Sequence, residues 1–368
     1  MCIACETQSA AVSTQESGNF LERLLGIMNS ANLSMMLSIG HRTGLLNALQ
    51  KAGPSTSAGL AEQAGLNERY VREWLGAMTT GRVVDCDETG TVFSLPEAHA
   101  ALLTDVEGSN FAYITQFISV LGTVEDRVVD CFYKGGGVPY AAYPRFHEVM
   151  AQDSAVNVVA RLHDAILPLA PGIHEKLSTG INVLDVGCGK GRALLKLAER
   201  YPNSQFTGYD LCPEPIAAAQ EAADQKGLKN IRFEIRDLSH FHLDAPEAEY
   251  DFVTAFDAVH DQARPDHLLL GIRRTIKDDG LFLMQDIGAS SNVAENRDHP
   301  VGAMLYTVSC MHCMTVSLAQ GGLGVGTMWG EQLTRQYLAT AGFSQVNRHK
   351  LEHDILNYYY VAYPDKSE

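Results

Sequence analysis

Between Ile181 and Arg192 the chain reads Ile-Asn-Val-Leu-Asp-Val-Gly-Cys-Gly-Lys-Gly-Arg, an apolar, strand-like stretch that runs into Gly187, Gly189 and Gly191. Residues 193–200 then follow a helical pattern. Strand, tight turn and helix in that order satisfy this pattern, because glycine lets the backbone turn sharply and approach a ligand closely. A dinucleotide fingerprint would place its third glycine at position 192, where Arg stands, so the spacing here is G-x-G-x-G. Asp185, two residues before the first glycine, sets a carboxylate at the strand's end. A pyrophosphate would be repelled there and a cation attracted.

From this point onward strands alternate with helices: strands are predicted near 181–187, 204–211, 230–238, 250–259 and 280–288, with helical stretches between most of them. Such alternation specifies a parallel sheet covered by helices. Two further strands, Gln345–Glu352 and Asn357–Tyr363, are close enough in sequence to pair as an antiparallel hairpin. The fold class is therefore α/β, a Rossmann-like doubly wound sheet with a C-terminal antiparallel hairpin. The second strand, Phe206-Thr-Gly-Tyr-Asp, ends in Asp210, nineteen residues past Gly191, where an acid can accept hydrogen bonds from both ribose hydroxyls. The third ends in Asp237 and Leu238, a carboxylate and an apolar wall for an adenine. Three acids at successive strand ends describe one crevice, whose ligand has an amino-acid cation, a ribose and an adenine but no phosphate. S-adenosyl-L-methionine fits that description, with S-adenosyl-L-homocysteine as its product.

The N-terminal part is built differently. Residues 1–18 are small and polar and read as a flexible tail. Residues 19–105 read as a helical winged-helix domain. Ser34–Leu49 has helical periodicity interrupted by Gly44, Pro54-Ser-Thr-Ser caps a helix over 58–64, Asn67 caps one over 68–78, and 82–95 forms two short strands. From Leu33 to Asp105 five basic residues face eight acidic ones, and Arg69 and Arg72 stand beside Glu68 and Glu73. That is no phosphate clamp, so dimerisation is the expected role and no nucleic acid is expected as a partner. Residues 106–178 read as a helical connector and site cover, and 179–368 as the cofactor-binding domain.

Composition closes off other classes. A net charge of −16 opposes nonspecific binding to phosphate backbones. No apolar run reaches about 18 residues, so no membrane partner is expected. Eight scattered cysteines without a signal-like N-terminus suggest reduced thiols and a cytoplasmic location. Cys2/Cys5 and Cys310/Cys313 make two C-x-x-C spacings that a zinc ion could clasp together, but the first pair sits in the polar tail and no metal is assigned.

The glycine loop after Asp185, with Asp210 and Asp237, resembles the class I S-adenosylmethionine-dependent methyltransferases over roughly residues 180–364. That resemblance implies a cofactor site of Asp185, Gly187, Cys188, Gly189, Gly191, Asp210, Leu211, Asp237, Leu238, Phe256, Asp257 and Phe146. A winged helix, then Phe146-His-Glu-Val-Met-Ala-Gln-Asp-Ser154, then the sheet, is similar to the small-molecule O-methyltransferases of plants and bacteria. It implies a homodimer with intertwined N-terminal domains and a helix carrying Phe146 and Met150 that closes over cofactor and substrate. Ser317–Gly330 also resembles a segment shared by a poorly characterised group of winged-helix methyltransferases.

His260-Asp261, just past the fourth strand, matches the O-methyltransferase pair whose histidine is the general base, although Gln262 stands where that family has tryptophan. An imidazole can take a hydroxyl proton as oxygen attacks the methyl, while a purely structural His260 would bond to backbone or to an acid such as Asp257. Ser309–Thr315 gathers Cys310, His312 and Cys313 as soft ligands, or as a pocket wall with His312 towards substrate. Tyr140, Tyr143, His147 and Trp329 are further candidate walls, and Gly321–Gly326 reads as a lid or a plain linker. The predicted function is methyl transfer to a small molecule, at a hydroxyl, with His260 as base. The alternatives are a nitrogen, thiol or metalloid acceptor, or a regulator that senses the adenosyl ligand.

Overall fold

The computed structural model describes residues 14–105 and 110–366, so the Cys2 and Cys5 pair lies outside the described residues. Two compact units divide between Ser119 and Val120.

In the first unit a helix runs from Thr14 to Thr43, reaching back into the stretch read as a tail. Gly44, at φ 72°, breaks it before Leu45–Ala52. Thr56 caps Ser57–Ala64 by accepting the Gly59 N–H, and Asn67 caps Glu68–Thr80 by accepting that of Arg69. Asp85–Cys86 and Phe93–Ser94 pair as the short hairpin. Leu46, Leu49, Leu60, Trp74, Leu75 and Met78 form the core, each aliphatic side chain contributing about 1.5–3 kcal/mol. Trp74 Nε1 donates to the Met36 carbonyl at 2.9 Å, and its indole lies where a Cβ on Gly40 would come within 2.6 Å. Arg69 and Arg72 are paired along their own helix with Glu73 and Glu68.

The second unit contains a seven-stranded sheet: β1 Asn182–Val186, β2 Gln205–Asp210, β3 Ile231–Ile235, β4 Tyr250–Phe256, β5 Ile276–Ile287, β6 Gln345–His349 and β7 Asn357–Tyr363. The order is β3-β2-β1-β4-β5-β7-β6, with the first five parallel and β7 antiparallel to both its neighbours. Along β1 alternate side chains enter opposite cores: Leu184 and Val186 meet Leu268 and Leu338 on one face, and Val183 meets Leu194 and Ile166 on the other. Strand order reverses between β1 and β4, which opens a crevice at their C-terminal ends. β5 begins four residues before its expected start, with a register shift against β4 between Tyr250 and Phe252.

The stretch read as a separate connector over 106–178 divides between the units. Its later part belongs to the sheet unit because Leu162, Ile166 and Leu167 are fully buried in that core. A second helical stretch, Gly302–Ala319, has a π-type turn at Ser309–Cys313. By length and hydropathy it could cross a membrane, contrary to the sequence reading, yet His312, Cys313, Thr315 and Val316 are buried within the unit.

Gly40→Ala should destabilise the first unit by about 1–3 kcal/mol through overpacking against Trp74. Urea unfolding followed by tryptophan fluorescence, showing a lower midpoint for that unit, checks this.

Candidate active site

Gly187, Gly189 and Gly191 all have positive φ, at 72°, 54° and 64°. A Cβ on Gly187 would sit 2.4 Å from that of Ala258, and one on Gly191 2.4 Å from the Phe233 ring, whereas Gly189 meets nothing within 4 Å. The outer two glycines are thus packing requirements, and the middle one faces the opening. Asp210 holds the loop: its Oδ2 accepts the Gly189 N–H at 2.8 Å and its Oδ1 that of Cys212 at 2.9 Å. Each carboxylate oxygen has a second lone pair free for a ribose hydroxyl. Asp185 is almost fully buried, takes a 2.7 Å hydrogen bond from Thr254 Oγ1, and is pushed by burial up to about 7.

Around this loop the crevice is lined by Cys188, Leu211, Leu238, Phe256 and Asp257 on the sheet side and by Tyr140, Phe146, His147 and Met150 opposite them. Burial pushes the Cys188 thiol well up and that of Cys212 to about 11, so neither is a thiolate. Asp237 departs from expectation. It is exposed, caps the Ser239 N–H at 2.9 Å and does not line the crevice, because the chain turns at the strand's end and leaves Leu238 inside. The basic residues on the wall are held by other partners: Arg192 by the Ala151 carbonyl, Lys190 by Glu214 and Arg236 by Asp244. An adenosyl ligand with a cationic tail fits this donor set, and a phosphate does not.

At the reacting end Asp257 has the left-handed φ of 53°, a strained conformation of the kind found at functional sites. Burial raises its carboxyl well above the usual range. Next to it His260 is buried, with Nδ1 2.8 Å from Asp286 Oδ1 and Nε2 3.2 Å from Asp261 Oδ1. Burial opposes the imidazolium, but the carboxylates of Asp286 and Asp261 outweigh it and raise His260 well above its ordinary value. Burial likewise opposes ionisation of Asp261, and His260 more than compensates, holding it far below the carboxylate range. Asp261, not His260, borders the crevice, and it accepts a hydrogen bond from Tyr140 Oη at 3.2 Å. Burial raises the Tyr140 hydroxyl well above its usual value, so it stays a donor.

Three other expected wall residues lie behind the surface. Tyr143 is buried and donates to the Met311 carbonyl, and Trp329 is buried and donates through Nε1 to Asp286 Oδ1 at 3.0 Å. His312 is fully buried, stacked on Phe146 at 3.6 Å and edged by Tyr140 and Tyr143, with neither ring nitrogen hydrogen-bonded. Burial lowers it to about 4, so it is neutral. Gln262, Gln320 and Asp286 were missed as site residues. Asp286 had one signal, an acid just past the apolar run Leu281–Met284 at the end of a strand.

Residues 31–105 match the family described as "Rv2258c-like winged HTH domain", and residues 177–342 match "Methyltransferase domain". The latter holds the five parallel strands and most of the crevice wall, while β6, β7 and the wall residues between Tyr140 and Ser154 lie outside it. Residues 177–342 are a methyltransferase domain. Asp185, Gly187, Gly189, Asp210, Leu238 and Phe256 of this domain line the crevice.

In fold the chain is similar to a putative O-methyltransferase from Nostoc punctiforme PCC 73102, with a TM-score of 0.69 at 18% identity over 93% of this chain and 98% of that one. It is also similar to human N-acetylserotonin methyltransferase in complex with SAM, with a TM-score of 0.67 at 17% identity over 98% and 100%. Among curated proteins it is 25% identical to a malonyl-[acyl-carrier protein] O-methyltransferase of Paenibacillus sp. (strain JDR-2) over 48% of this chain and 62% of that protein. It is 34% identical to the 2-heptyl-1-hydroxyquinolin-4(1H)-one methyltransferase of Mycobacteroides abscessus over 26% and 39%. The chain therefore spans less than two thirds of the length of these curated relatives.

Because burial pushes the Asp185 carboxyl up to about 7, it is neutral below that pH and anionic above it. A ligand with an ammonium group should bind the methyltransferase domain more tightly as pH rises from about 6 to 8, by up to about tenfold per unit on the acid side. Calorimetry with S-adenosyl-L-homocysteine should show this slope, and Asp185→Asn should flatten it.

Proposed function

We propose that this chain is an S-adenosylmethionine-dependent methyltransferase that methylates a hydroxyl group of a small molecule, with the Asp261–His260 pair managing the proton. The observation that carries this reading is the position of Asp261. Its carboxylate borders the crevice beside Asp257 and Gln262, takes the Tyr140 hydroxyl on Oδ2, and is backed by His260 on Oδ1. When bound, the cofactor supplies a methyl group on a sulfonium leaving group.

With the cofactor bound, an acceptor oxygen would take the methyl group that it supplies and give up its own proton to Asp261, the carboxylate that borders the crevice. His260, anchored by Asp286, contributes positive charge that keeps Asp261 ionised until the proton arrives. This departs from the base assigned to His260 from sequence, since the imidazole has a carboxylate at each nitrogen and does not border the crevice. Tyr140 and Gln262 orient the acceptor, and alignment of oxygen, methyl and sulfur carries much of the rate.

His260→Ala should leave S-adenosyl-L-homocysteine affinity within about twofold and lower turnover by about 10²–10⁴. Calorimetry together with a methyl-transfer assay over a panel of hydroxyl compounds checks both. Unchanged turnover would remove the pair from the mechanism.

A homodimer is the second part of the proposal. Phe20, Leu21, Leu24, Leu25, Ile27 and Met28 on the Thr14–Thr43 helix are each 41–61% exposed, an apolar surface of the kind that marks an interface. Light scattering after size-exclusion chromatography should give twice the chain mass, and Leu24→Glu with Met28→Glu should give the monomer.

A further inference from the structure

We propose that Cys313 Sγ, His260 Nε2 and Asp261 Oδ1 form a binding site for a thiophilic divalent metal ion of the zinc type, beside the crevice that Asp261 borders. The three donor atoms all lie within 4.8 Å of one another, and His260 Nε2 is 3.2 Å from Asp261 Oδ1. A tetrahedral ion with bonds of about 2.0–2.3 Å spaces its donors about 3.5 Å apart, so the side chains need to close by no more than about 1.3 Å. Sulfur, imidazole nitrogen and one carboxylate oxygen are a zinc donor set, and three protein ligands with one open position is the arrangement of reactive rather than structural zinc.

The outer groups support it. A metal-bound histidine characteristically gives its other ring N–H to a carboxylate. His260 does so to Asp286 at 2.8 Å, and Asp286 is itself fixed by Trp329 Nε1 at 3.0 Å and the Ile287 N–H at 2.8 Å. Nε2 is thereby committed to face Asp261 and Cys313. Asp261 is steadied on its far oxygen by Tyr140, while its Oδ1 is buried with no hydrogen-bond partner of proper geometry. The fold thus brings Cys313 to His260 and Asp261 from a separate segment, whereas the alternative read from sequence grouped it with Cys310 and His312. The other cluster of donors there, Asp257, His260 and Asp286, uses the nitrogen already bonded to Asp286 and offers no soft ligand.

Binding replaces the thiol proton of Cys313 and any proton on His260 Nε2 with the ion, and both protons go to solvent. An ion so held occupies the proton-accepting carboxylate, so turnover falls as the site fills. That consequence rests on the methyl-transfer reading, whereas the site itself does not.

The test uses the full chain, reduced and stripped with chelator, titrated with Co²⁺ for absorption and with Zn²⁺ for calorimetry. The unaltered chain should bind one ion at this site with a thiolate-to-cobalt charge-transfer band. Cys313→Ser should lose that band, while Cys310→Ser and the double change Cys2→Ser, Cys5→Ser should keep it. Asp286→Asn should weaken Zn²⁺ binding by about 10–100-fold, and it provides the reading should Cys313→Ser fail to bind S-adenosyl-L-homocysteine and so prove unfolded. A charge-transfer band that survives in Cys313→Ser, Zn²⁺ affinity unchanged in Asp286→Asn, or no binding by the unaltered chain would each overturn the proposal. Loss of turnover on Zn²⁺ loading, reversed by chelator, would link the site to methyl transfer. Metal binding without any methyl transfer in unloaded protein would overturn the functional reading and leave the site standing.

Discussion

A carboxylate with no exposure to water has to be met by donors, and Asp286 at the end of β5 receives all of its own on Oδ1, while Oδ2 has no hydrogen-bond partner. Its Oδ1 receives His260 Nδ1 from the loop after β4, Trp329 Nε1 from the turn before the Gly330–Ala341 helix, and the Ile287 backbone N–H. Removing one partner of such a set leaves a charge buried and uncompensated, at a cost of about 3–5 kcal/mol. Three segments far apart in sequence are tied to one oxygen. The orientation of His260 follows from that tie, and the face that Asp261 shows to the crevice follows from His260.

How much of this was legible depended on whether the determinant was local. The five parallel strands, the C-terminal hairpin and the caps at Thr56 and Asn67 follow from periodicity and turn chemistry within a few residues, and all are present. The glycine loop was legible for the same reason, since its positive φ angles are a property of glycine itself. His260 was recognisable as a residue but not as a geometry, because its direction is set by a carboxylate 26 positions later. Asp237 failed for a subtler reason. A strand end determines that two neighbouring side chains diverge, yet which of them turns inward depends on how the next loop leaves, and here Leu238 does. Tyr143, His312 and Trp329 were placed on the wall because polar aromatics suggest contact with substrate, but each is one layer deeper.

The electrostatic character of the crevice was easier to read than its individual contacts. Asp185, Asp210, Asp257 and Asp261 all border it, and the nearby Lys190, Arg192 and Arg236 have partners elsewhere. Low-dielectric walls of Leu238, Phe256 and Phe146 strengthen that field. Burial pushes up both Asp185 and Asp261, but of the two only Asp261 has a cationic neighbour: Asp185 stays raised, whereas His260 more than compensates at Asp261 and leaves it depressed. One crevice therefore keeps a carboxyl poised near neutrality at one end and one that His260 holds ionised at the other.

The π-type turn at Ser309–Cys313 has an evolutionary consequence. An α-helix advances about 100° per residue, and a π-turn accommodates one residue more than the helix would. Homologues that lack that extra residue would run as an uninterrupted helix from Gly302 to Ala319 and would differ by one angular step across the segment. Whatever residue they carry opposite Cys313 in an alignment would then project from another side of the helix. Along this stretch, a gap of one position in an alignment would separate chains that bring this sulfur to His260 and Asp261 from chains that do not, even where every neighbouring residue is identical.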